Sequence, residues 1–223
     1  FDVAFVCVPD EAKPDLLRYL LSEKKHVLVE KPLLTCDRGE LEGLAECAGR
    51  NLVACYTAYN HRFEPNVVSL KRLLDDDTLG RVYFARFYYG NGTARDVRDS
   101  GWRDSGLGVL SDLGSHLLDW VLYLFGPIPT TFQLWDLNHF ENRACDRALF
   151  GTGGEPAIEL EVTLLSWRNT VKIDVYGERG SAHVDGLCKW GPSTLTVRHR
   201  TLPSGVPEEV VHTVESDDPT WAL

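Results

Sequence analysis

Methionine is absent from all 223 residues, so neither a start residue nor a flexible thioether contributes to this chain. With Phe1 leading straight into an apolar run, and Asp218–Leu223 ending without a stop signal, the sequence reads as a piece of a longer protein. No apolar stretch reaches the roughly 18 residues of a membrane span; the longest, Leu117–Phe125, is broken by Asp119, and neither a spanning helix nor a signal peptide is expected. No CxxC pair occurs. Cys7, Cys36, Cys47, Cys55, Cys145 and Cys188 are scattered, several in runs that read as buried, which points to reduced core thiols and a cytoplasmic setting. Basic residues are in the minority, 23 Lys and Arg against 33 Asp and Glu, a net charge of −10. That balance argues against nucleic acid or an anionic membrane as the main partner. No second His or Cys cluster accompanies the histidine discussed below, so no metal site is expected. Repeats, linkers and low-complexity tracts are missing too.

What is present is a globular composition, 43% hydrophobic and 25% charged. Val3–Val8 is a continuous apolar run ended by Pro9, the pattern of a strand covered on both faces in a parallel sheet. A helix should follow, capped by Asp10, with Pro14 in its first turn and Leu16, Leu17, Leu20 and Leu21 as its buried stripe. His26–Val29 reads as the next strand. Asp37 and Glu40 resemble a capping box for a second helix with Leu41, Leu44, Ala45 and Ala48 on its apolar face, before a third strand at Leu52–Tyr56. Strand and helix alternating this closely predict right-handed parallel crossovers over residues 1–60.

The pattern changes over residues 61–223. A short helix is expected over Asn66–Leu74, a strand over Arg81–Tyr89, a polar loop over 90–107 and a helix over Gly108–Phe125 closed by Gly126-Pro127. Strand-like segments follow at Thr131–Leu137, Ala157–Ser166, Thr170–Tyr176, Ser181–Val184, Thr194–His199 and Glu208–Val214. With few helices between them they must pair mainly antiparallel, and the alternation in Glu159–Leu164 and Val171–Tyr176 leaves one sheet face to water or a ligand. The fold class is therefore α/β: the C-terminal half of a Rossmann-type parallel sheet, followed by an α+β domain with a large, mainly antiparallel open sheet.

Two segments carry chemistry. Ser111-Asp112-Leu113-Gly114-Ser115-His116 sets a carboxylate and an imidazole four apart in an apolar helix, one face of which would present both as an acid/base pair. A core histidine satisfied in place is the plain alternative. Lys31 stands where the apolar run Val27–Val29 ends in Glu30-Lys31-Pro32, and a lysine at a strand exit is well placed to act on a ligand. Its plain alternative is an ion pair with Glu30. Asp119 is read as structural, bonding the loop near Trp102, and the loop running from Tyr88 to Arg95 is a candidate wall of a substrate pocket.

Taken in order, Glu30-Lys31-Pro32, Asn60-His61-Arg62-Phe63, Trp102-Arg103 and Asp112-x-Gly114-x-His116-x-x-Asp119 resemble the glucose-fructose oxidoreductase/inositol dehydrogenase/MocA family along nearly the whole chain. The resemblance implies NAD or NADP as cofactor and hydride transfer to or from a hydroxyl or carbonyl of a sugar, cyclitol or related polyol. It implies Lys31, Asp112 and His116 as catalytic residues, with Pro9, Glu30, Lys31, Asn60, Arg62, Trp102 and Arg103 near the cofactor. A homo-oligomer, dimer or tetramer, built through the open sheet is implied as well. Two other activities exist on the same fold, a non-catalytic sugar or dinucleotide sensor and a glycosidase working by transient oxidation. One departure stands out: the glycine-rich turn GxGxxG that cradles a pyrophosphate is not in these 223 residues. Either it lies in roughly 80 to 120 further residues ahead of Phe1, the favoured reading, or this piece has lost cofactor binding.

Overall fold

The computed structural model describes residues 1–33, 38–128 and 131–215. The chain divides into two compact units, residues 1–60 and 61–223.

The first unit is a three-stranded sheet of order β1-β2-β3, with β1 Val3–Val6, β2 His26–Val29 and β3 Cys55–Thr57. Both pairings are parallel, Val6 opposite Val29 and Val29 opposite Thr57. The crossovers are helices α1 Lys13–Ser22 and α2 Arg38–Asn51. Because the strand order advances in one direction and such crossovers are right-handed, both helices fall on the same face of the sheet. Val6, Leu17, Leu20, Leu21, Val27, Val29, Leu44 and Ala48 make the core beneath them.

That geometry corrects three expectations. β1 is covered on one face only: Val3 is 51% and Phe5 73% exposed, and Cys7 is exposed with them. In α2 only Leu44 and Ala48 of the expected stripe are buried, while Leu41 and Ala45 face outward. Asp10 does not cap α1 but lies in a 3₁₀ turn, Asp10–Ala12, and binds Lys13 instead. The capping box that includes Asp37, and Cys36, fall outside the described residues.

The second unit is built on an eight-stranded sheet of order β11-β10-β9-β8-β4-β7-β6-β5. Its strands are β4 Val82–Gly90, β5 Gln133–Asn138, β6 Arg147–Thr152, β7 Ala157–Thr163, β8 Thr170–Gly177, β9 Gly180–Asp185, β10 Ser193–His199 and β11 Glu208–Val214. Every pairing is antiparallel except β4 with β7, which run parallel. The alternation of the central strands sends Phe87, Tyr89, Leu160, Val162, Ile173 and Val175 into one core. Against it pack α3 Pro65–Asp75 and α5 Ser115–Phe125, the latter burying Leu117, Trp120, Val121 and Leu124. The opposite face is open and laced with pairs such as Arg86–Glu159, Arg147–Glu161 and His183–Asp174.

Here too the structure departs from expectation. β6 has no counterpart among the expected strands, the polar stretch 90–107 contains a short helix, α4 Ala94–Arg98, and the helix expected over Gly108–Phe125 opens with a π turn over Leu110–Gly114. Gly108 enters that turn at φ +52°, and an added Cβ there would lie 2.3 Å from the Cys145 carbonyl oxygen. Only glycine fits.

Candidate active site

In the first unit the parallel register brings the three strand exits to one sheet edge. Pro9 follows β1, Glu30-Lys31-Pro32 follows β2, and the stretch leading to Asn60 follows β3, tied by Glu30 N to Val6 O at 2.9 Å and Ala58 N to Val29 O at 2.8 Å. The carboxyl-terminal edge is where open α/β sheets bind ligands. Glu30 does bond Lys31, but through the backbone: its Oε2 accepts from Lys31 N at 2.9 Å.

The turn after Lys31 is held by a residue that sequence reasoning passes over. Lys13, 2% exposed, donates from Nζ to the Pro32 carbonyl at 2.8 Å and to Asp10 Oδ1 at 2.6 Å. A charged side chain stays buried when its donors are satisfied, and Lys13 uses its charge to lock one strand exit against the next.

In the second unit His116 is 5% exposed, one residue into α5. Asp112 lies in the π turn, a feature often found at functional sites because it re-aims side chains relative to a regular helix. Asp112 Oδ2 is 3.4 Å from Arg103 Nη2, while Trp102 is largely exposed. Tyr89, at the buried end of β4, has its ring 6.1 Å from that of His116. Burial, then the negative charges of Asp112 and Glu64, push the Tyr89 phenol far above its ordinary value. This part of the structure therefore gathers a carboxylate, an imidazole and a neutral phenol.

Asp119 is structural, but not toward Trp102. Arg62 donates from Nε to Asp119 Oδ2 at 2.7 Å and from Nη2 to Oδ1 at 2.5 Å, and its guanidinium lies 5.5 Å from the Tyr123 ring. Burial raises the Asp119 carboxyl above its usual range and Arg62 opposes that rise. Glu64, 1% exposed, accepts from Cys188 Sγ at 2.8 Å and Cys188 N at 3.2 Å. Tyr89, expected in a pocket-lining loop, lies instead in β4, and Glu64, which directly follows the motif Asn60-His61-Arg62-Phe63, is a buried carboxylate that the sequence does not single out. Among the described residues no group of three or more His, Cys, Asp or Glu side chains is placed to hold a metal ion.

Residues 67–183 match the model of the GFO/IDH/MocA C-terminal domain, and residues 1–59 match that of the oxidoreductase family's NAD-binding Rossmann fold. The chain belongs to the Gfo/Idh/MocA family of oxidoreductases. An uncharacterized oxidoreductase, YdgJ of Escherichia coli (strain K12), is 30% identical over 192 residues, 83% of this chain and 54% of that protein. Glucose-6-phosphate 3-dehydrogenase of Bacillus subtilis (strain 168) is 33% identical over 110 residues, 47% of this chain and 31% of that protein. Among solved structures, a levoglucosan dehydrogenase in complex with NADH superposes with a TM-score of 0.81 at 18% identity, covering 96% of this chain and 61% of that one. The chain thus spans little more than half the length of the first of these relatives.

Proposed function

We propose that the protein carrying this chain is an NAD(P)-dependent dehydrogenase or reductase acting on a hydroxyl or carbonyl of a sugar, cyclitol or related polyol. The observation that carries this reading is the π-turn-to-helix junction, which sets Asp112 and His116 beside the neutral Tyr89 in a chain of this family. Relatives named as glucose-6-phosphate 3-dehydrogenase, scyllo-inositol 2-dehydrogenase and myo-inositol 2-dehydrogenase support the substrate class.

A bound nicotinamide supplies the hydride acceptor or donor. The three strand exits at one edge of the parallel sheet fit the nicotinamide side of such a group, with Pro9, Glu30, Lys31 and Asn60 as the residues that would hold it. The family resemblance also assigns Arg62, Trp102 and Arg103 to the cofactor's surroundings, although Asp119 already takes two of the Arg62 donors. His116 is assigned as the base that takes the substrate hydroxyl proton, since an imidazole titrates near neutrality and need not be tuned far. Asp112 orients that imidazole or accepts from a neighbouring substrate hydroxyl. Lys31 donates to the reacting oxygen and stabilises its developing negative charge.

The test is a nicotinamide absorbance assay on the protein over a panel of sugars and cyclitols. Turnover with a polyol is expected, and Lys31→Ala or His116→Ala should each lower it by roughly two to four decades, with cofactor binding surviving in His116→Ala. Unchanged turnover in both variants refutes the catalytic roles, and cofactor binding without turnover on any of the panel refutes the enzyme. We place the protein in the cytoplasm, as a homo-oligomer joined through the open face of the eight-stranded sheet, for which light scattering is the check.

A further inference from the structure

We infer that His61 is a positioning residue for His116, fixing the plane of that imidazole by stacking on it. The inference rests on the assignment of His116 as the base.

The two rings lie 4.0 Å apart, centroid to centroid, with 26° between their planes. Both side chains are 5% exposed. His61 belongs to a 3₁₀ turn, Asn60–Phe63, and that turn is fastened to the same helix that carries His116. Trp120 Nε1 donates to the His61 carbonyl at 3.1 Å, and Arg62 grips Asp119 through two hydrogen bonds. Positions 116, 119 and 120 share one face of α5, so one short turn meets three successive points of that face. Tyr89 closes the group, its ring 5.6 Å from His61 and 6.1 Å from His116.

A site this dry is ordinarily filled by an apolar side chain, which would pack against an imidazole without dictating its rotation. A planar ring stacked face to face does dictate it. The last torsion of a histidine side chain is broad, so a free imidazole samples many orientations of its two nitrogens. A base works only while its nitrogen stays within hydrogen-bond reach of the proton, and misplacement by about 1 Å can cost about a hundredfold in rate. The stack removes that freedom.

Two substitutions separate ring from bulk: His61→Leu fills the volume without a plane, and His61→Phe restores the plane without a titratable nitrogen. In proton NMR of the chain, the His116 ring signals, identified by their loss in His116→Gln, should carry a ring-current displacement that vanishes in His61→Leu and persists in His61→Phe. In steady-state kinetics of the protein, His61→Leu should lower kcat by about ten- to a hundredfold with KM within about threefold, and His61→Phe should recover most of it. Parental kcat in His61→Leu, or a His61→Phe variant as impaired as His61→Leu, overturns the inference. Should His116→Ala itself keep full turnover, the assignment of the base fails, while the ring-current result still decides whether the stack exists.

Discussion

Arg62 and Asp119 form a two-bond ion pair, Nε to Oδ2 and Nη2 to Oδ1, that joins a 3₁₀ turn to α5 from inside the second unit. Asp119 is 6% exposed, and burial raises its carboxyl above the ordinary 3.8. A raised carboxyl favours the neutral form in the fold, so its contribution to stability is present below 3.8 and is lost as pH rises through the raised value. Arg62 limits that loss. Arg62→Met should therefore destabilise the protein by about 3–5 kcal/mol near neutral pH, with a clearly smaller penalty under acid conditions. Urea unfolding at both conditions checks this, and an equal penalty at the two would show that the charge of Asp119 is not what Arg62 offsets.

Tyr89 contributes to the alkaline limb. Its phenol is raised in the fold, chiefly by burial, while an unfolded tyrosine loses its proton near the ordinary value of 10.0. The unfolded chain thus releases a proton that the folded one keeps, and stability should fall by about 1.4 kcal/mol per pH unit above that value. Tyr89→Phe should flatten this decline. The measurement is the pH dependence of unfolding free energy in parent and variant, and parallel curves would show that Tyr89 ionises freely in the fold.

Lys13 ties Asp10 to the Pro32 carbonyl from a buried position. Lys13→Ala removes a charged donor and leaves a cavity, at an expected cost of about 2–4 kcal/mol in denaturant unfolding. A change within about 0.5 kcal/mol would mean that water replaces the ammonium without loss.

Gly108 has no room for a methyl group against the Cys145 carbonyl and sits at positive φ before the π turn. Gly108→Ala should cost about 3 kcal/mol or more, read from the thermal or urea transition, and should displace the turn that carries Asp112. Gly114→Ala is the matched control. It meets its nearest neighbour at 3.7 Å, so a much smaller change is expected there.

Patterning is enough to read α3, β2 and β8 close to their observed bounds: α3 and β8 carry a stripe or an alternation, and β2 is a short apolar run ended by charged residues. β6 escapes because Arg147–Thr152 follows six polar or small residues, Glu141–Asp146, without a Gly or Pro to mark its start. Within this chain α1 and α2 cover one face of β1, so Val3 and Phe5 stay exposed on the other. At the site, Asp112 and His116 stand out by spacing, whereas Lys13 reads as an ordinary exposed residue of a first helical turn. Tyr89 likewise looks like part of an alternating strand. Lys13 gains its role from the Pro32 carbonyl, and Tyr89 feels the charges of Asp112 and Glu64, all far from them in the chain.

β4 is the keystone of the eight-stranded sheet: it pairs with β7 on one side and β8 on the other, yet precedes both by a long stretch of chain. During synthesis it emerges with both hydrogen-bonding edges open, and neither closes until residues 157–177 have followed. Assembly of the large sheet must wait on these distant partners, so its folding is governed by loop closure more than by local hairpins. Any truncation upstream of β8 would strand Tyr89 on an unfinished edge, prone to zip onto a neighbouring molecule instead.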